Sequence, residues 1–80
     1  MQTKLSSTAV IYAILSINSE ITLQKEYLAS PDVDPDERDN EMGILDDLEQ
    51  TLMEFIEFYK GYLKVEKDLP SIDELLHSEL

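Results

Sequence analysis

The 80-residue chain has no cysteine, so no disulfide can staple it and no thiolate can bind a metal or attack a substrate. Its single histidine, His77, rules out the usual multi-histidine metal sites. With two glycines in all, Gly43 and Gly61, it has no glycine-rich phosphate loop. Positive charge is scarce: six lysines and arginines face 18 acids, for a net charge of -12. Phosphate would be repelled, which excludes direct binding to DNA, RNA or anionic lipid. Long apolar runs are also missing. The longest, residues 9–17, contains Tyr12 and Ser16 and falls well short of the roughly 20 residues that cross a bilayer. After Lys4 it looks like the apolar core of a secretion signal. However, one lysine is a weak flank, and Asn18, Ser19 and Glu20 make a poor cleavage site. The expectation is a buried stretch of a cytoplasmic helix, with no membrane role.

What is present is helical pattern. An apolar content of 42% is enough for a folded chain, and 80 residues suit a single domain. A first helix is expected over 8–29, capped by Ser6 or Ser7. Val10, Ile14, Ile17, Ile21 and Leu28 form one stripe at 3-4 spacing, with Gln24 in a place meant for another apolar residue. Ile11 and Leu15 widen it. Residues 30–34 read as a connection, because Pro31 and Pro35 disfavour helix in the residue before each. Asp34, Pro35 and Glu37 then match a helix start, with cap, first-turn proline and acid in order.

A second helix is expected over 35–67. Leu45, Leu48, Leu52, Phe55, Tyr59 and Tyr62 repeat at 3-4 spacing, with Ile56 and Leu63 on one side and Phe58 on the other. Gly43 and Gly61 weaken it, and each could mark a kink, an early end or a close backbone approach. Ser71 and Glu74 form a capping box for a short helix over 72–79. The expected fold is all-α: an antiparallel hairpin of two long helices plus a short C-terminal helix. One hairpin leaves wide apolar faces open, so a homodimeric four-helix bundle is expected. Its rival is a monomeric three-helix fold in which the short helix folds back.

Chemistry-bearing motifs are weak. Asp32, Asp34 and Asp36 mimic the first positions of a calcium loop, but Glu37 stands where the turn needs glycine and Gly43 where a glutamate should ligate. Glu74 and His77 have the Glu-x-x-His spacing of di-metal bundles, yet the apolar faces offer no paired glutamates. No serine, histidine and acid fall into a nucleophilic pattern. No cofactor, metal site or catalytic residue is assigned, and the chain is expected not to be an enzyme.

The remaining candidates are surfaces for protein partners. Ile14, Ile17, Ile21, Leu48, Leu52, Phe55, Phe58, Tyr59 and Tyr62 form the candidate dimer or partner interface, because aromatics dominate interface hot spots. Tyr12, Leu23, Tyr27 and Met53 fall off the main stripes and would mark a second surface if exposed. Residues 32–57 hold 11 acids against Arg38 alone, and Asp46, Asp47, Glu54 and Glu57 form a candidate acidic face. That face suits a basic protein partner. The leading expectation is a non-enzymatic interaction or regulatory module. The alternatives are an acidic inhibitor that mimics nucleic acid, and a metal-binding bundle.

Overall fold

The computed structural model describes residues 5–77. Among these residues all regular structure is helical: α1 (Ser7–Ala29), α2 (Pro35–Val65) and α3 (Ile72–Leu76). α3 ends at Leu76, short of the expected Glu79, because His77 already leaves helical geometry as its C-cap. Lys4, Ser78, Glu79 and the apolar role of Leu80 lie outside the described residues.

Each helix begins where a side chain satisfies free backbone amides. The Ser6 hydroxyl accepts from the Ala9 amide at 3.1 Å, which starts α1 one residue earlier than expected. Asp34 accepts from the Asp36 amide, with Pro35 in the first turn of α2. At α3 both halves of the capping box form, between Ser71 and Glu74.

The end of α2 differs from expectation: the helix stops at Val65 rather than Lys67. Glu66 is already extended, and its amide closes the last turn on the Tyr62 carbonyl. The reason is packing further along the chain. The segment after α2 must reverse so that the Tyr59 hydroxyl can donate to the Pro70 carbonyl at 2.6 Å. That reversal also brings Leu75 into the core. Neither glycine ends or bends the chain into a neighbour. Both sit inside α2, and a β-carbon added at either would meet nothing within 4 Å.

The N-terminal end of α1 lies beside the C-terminal end of α2. Ser7 donates to Glu66, and the Tyr62 hydroxyl donates to the Leu5 carbonyl. At the other end Gln24 reaches Glu41. The short α3 packs on α1 of its own chain, and Asn18 holds the Leu76 carbonyl at 3.4 Å. Val10, Ile14, Tyr59 and Leu75 close into a core where the three helices meet. Ile21, Leu28 and Val33 are buried further along the chain. The principal extents of 46 × 32 × 16 Å describe a body thin in one direction. Among the described residues seven side chains are buried, and all are apolar or Tyr59.

Ile14→Ala removes a fully buried branched side chain at this meeting point. It should cost about 2–5 kcal/mol, a large share of the stability of so small a domain. Glu57→Ala, on an exposed position, should stay within about 0.5 kcal/mol. Gly43→Ala should stabilise by roughly 0.5–1 kcal/mol, because the new methyl meets no neighbour and the helix gains propensity. Thermal melts followed by circular dichroism order the three; a Gly43→Ala variant less stable than the parent would mean the site is covered.

Candidate interaction face

The residues of the candidate interface divide into two groups. Ile14, Ile21 and Tyr59 are enclosed within the chain. Ile17, Leu48, Leu52, Phe55 and Tyr62 are half-buried, and Phe58 is 48% exposed. Leu52, Phe55, Ile56, Tyr62 and Leu63 touch the core cluster. Of these, Phe55 and Tyr62 also line the open side of α2.

That open side has its own register. Ile44, Leu48, Thr51, Phe55, Phe58, Tyr62 and Val65 follow one another at alternating spacings of four and three. This is the strict period of a coiled-coil seam, maintained over about three heptads. Phe58 lies about 100° around the helix from the enclosed Tyr59, so it turns away from the core, while Phe55 and Tyr62 of the same seam touch its edge. Every member is half-buried or exposed, with Val65 at 75%. The rings of Phe58 and Tyr62 meet edge to face, centroids 5.5 Å apart. Shallow hollows flank Phe58. One of about 450 Å³ is floored by Gly61 and lined by Glu57, Phe58, Tyr62 and Val65. Another of about 310 Å³ is lined by Leu5, Glu54, Phe55 and Phe58.

Glu54 and Glu57 line the hollows beside Phe58. Asp46, Asp47, Glu54 and Glu57 are all exposed. Glu57 pairs with Lys60 at 3.0 Å, and Lys25 pairs with Glu49 at 3.7 Å. Asp46, Asp47 and Glu54 form no ion pair among the described residues. Tyr12, Leu23, Tyr27 and Met53 are also exposed, at 43–66%, on other parts of the surface. Tyr27 donates to Glu37 at 3.4 Å. Desolvation, then the charges of Glu37 and Glu41, raises its pKa.

Three features escaped the sequence reading. The Gln24 amide, in its apolar stripe, donates to the Glu41 carbonyl at 3.0 Å and to its carboxylate at 2.6 Å. Arg38 reaches back to the Leu28 carbonyl at 2.7 Å and the Ser30 carbonyl at 3.5 Å. It thus satisfies the end of α1, which has no basic residue in its own last turn. Val33 is buried although it lies in the connection. Among the described residues no three histidine or acidic side chains converge as a metal site requires. Also among them, no helix is long and apolar enough to cross a membrane. No family model, no curated protein and no solved structure matches this chain.

The Tyr59 hydroxyl has its pKa raised, first by burial and then by the charges of Glu66 and Glu74. The fold therefore favours the neutral phenol. That stabilisation is complete below the ordinary tyrosine value of about 10 and is lost as pH rises through the raised one. Tyr59→Phe should lower stability by about 1 kcal/mol near neutrality, through loss of the bond to Pro70. The gap between variant and parent should shrink above about pH 10. Denaturant melts at neutral and alkaline pH measure it, and a gap independent of pH would show that the hydroxyl does not titrate with folding.

Proposed function

We propose that this chain is a non-enzymatic protein–protein interaction or regulatory module of the cytoplasm. It would be a helical hairpin acting through the open face of α2. The observation that supports this most is the apolar strip that its own chain leaves uncovered. Phe58 is 48% exposed, and Glu54, without an ion pair among the described residues, shares a hollow with it. Two such hairpins packed together make a homodimeric four-helix bundle, which is the assembly we propose. A basic protein is the favoured partner for the acidic edge.

A second reading draws on Asp46, Asp47 and Glu54, which are exposed and without an ion pair among the described residues. Such carboxylates on a rigid helix could stand in for phosphates and block a nucleic-acid-binding protein.

One capture experiment separates the two. The wild-type chain and Phe58→Asp are used as baits in lysate of the source organism, washed at low and high salt. An interaction through the apolar strip survives high salt and is lost with Phe58→Asp. A mimic's target is released by high salt, because screening weakens exposed charge pairs, and it ignores Phe58→Asp. It is lost instead with Asp47→Asn combined with Glu54→Gln. A partner indifferent to both sets of changes would sink both readings.

A further inference from the structure

We infer that the occupant of the α2 strip is a second copy of this chain, with the two α2 helices antiparallel and crossing at Phe55. Self-pairing is one form of the interaction role proposed above and depends on it.

The register supports this geometry. About a two-fold axis at Phe55, the seam is self-complementary, as an isologous contact must be. Ile44 meets the partner's Val65, Leu48 meets the partner's Tyr62, and small Thr51 meets the partner's large Phe58. Phe55 meets its own copy in either pairing, but a parallel pairing also stacks Phe58 and Tyr62 each on itself at one end and sets Thr51 on itself in the middle. Alternating large and small residues across a seam fills it without voids.

Charge supports the same choice. The first half of α2, residues 35–50, has seven acids and only Arg38. The second half, residues 51–65, balances Glu54 and Glu57 against Lys60 and Lys64. Parallel helices place the two acidic halves together, whereas antiparallel helices place each beside a neutral half and set only Glu54 against its own copy at the edge. The seam itself has no charged residue over its whole length. A basic partner would therefore find its acids only at the rim. The hollow over Gly61 falls opposite the partner's Asp47, where a side chain on both helices would crowd the edge. The remaining repulsion between two chains of net charge -12 is screened by salt, so the dimer should tighten as salt is added. A complex with a basic partner responds in the opposite sense.

The test uses the full chain, whose lack of cysteine allows single thiols to report proximity. Sedimentation of the wild type should give a dimer that tightens with salt. Phe58→Asp should weaken it by more than about 100-fold, since a desolvated seam cannot hold an unpaired charge. Its helical circular dichroism should persist, because Phe58 is half exposed in the single chain. Under mild oxidation Phe55→Cys should link to itself. Ile44→Cys and Val65→Cys should link when mixed but not alone. A monomeric wild type would overturn self-pairing, and so would self-linking of Ile44→Cys or a dimer in which no seam thiol links. If capture of another protein still depended on Phe58, the module reading would survive that failure. If neither copy nor partner binding depended on Phe58, both would fall together.

Discussion

Tyr59 is the residue on which this arrangement depends. Its ring is fully enclosed with Val10 and Ile14 of α1 and Leu75 of α3. Its hydroxyl is used up on the Pro70 carbonyl. A single side chain of α2 thus serves both the packing of α1 and the return of the chain that brings α3 into place. In a domain with no disulfide, concentrating the contacts at one point lets the short α3 contribute to the core at all. Five helical residues have no stability of their own. Their order comes from Leu75 beneath, from the capping box at one end and from Asn18 at the other.

The cost of that arrangement falls on α2. One long helix cannot turn two apolar faces toward a partner helix on one side only. The face with Tyr59, Leu52 and Ile56 is taken by the rest of the chain. The seam from Ile44 to Val65 is left to solvent or to another molecule. Phe55 and Tyr62 lie on the boundary, touching the core and the open hollows at once. Changes in the inner packing would therefore be felt along the outer strip, through two shared rings rather than through the backbone.

Much of this was legible in the residues. The 3-4 spacing of Val10, Ile14, Ile21 and Leu28 named the buried face of α1. Three caps named the helix starts, because a side-chain oxygen near free amides is a local signal. Other features were not legible, because their causes are long-range. Val33 sits in a non-periodic connection, so nothing local marks it as buried. Arg38 is silent until α1 and α2 are known to be neighbours. Val65 ends α2 early because of where Pro70 must go. In α2 the expected stripe mixed Leu45, Leu52 and Tyr59 with Leu48, Phe55 and Tyr62. Both sets repeat every seven residues, so spacing alone could not show that Tyr59 is enclosed while Phe55 and Tyr62 stay half-buried at the edge of the core. The acidic positions were expected at the surface and are found there.

Arg38 has one more consequence, for proteolysis. Between Lys25 and Lys60 it is the only basic residue in the chain. Its guanidinium is engaged with the last carbonyls of α1, over the connection between the long helices. A protease that cuts after basic residues must extract this side chain before it can read it. The Arg38–Asp39 bond, near the start of α2, is therefore protected while the helices stay together and becomes a cleavage site when they part. Digestion at Arg38 thus reports the opening of that end of the molecule.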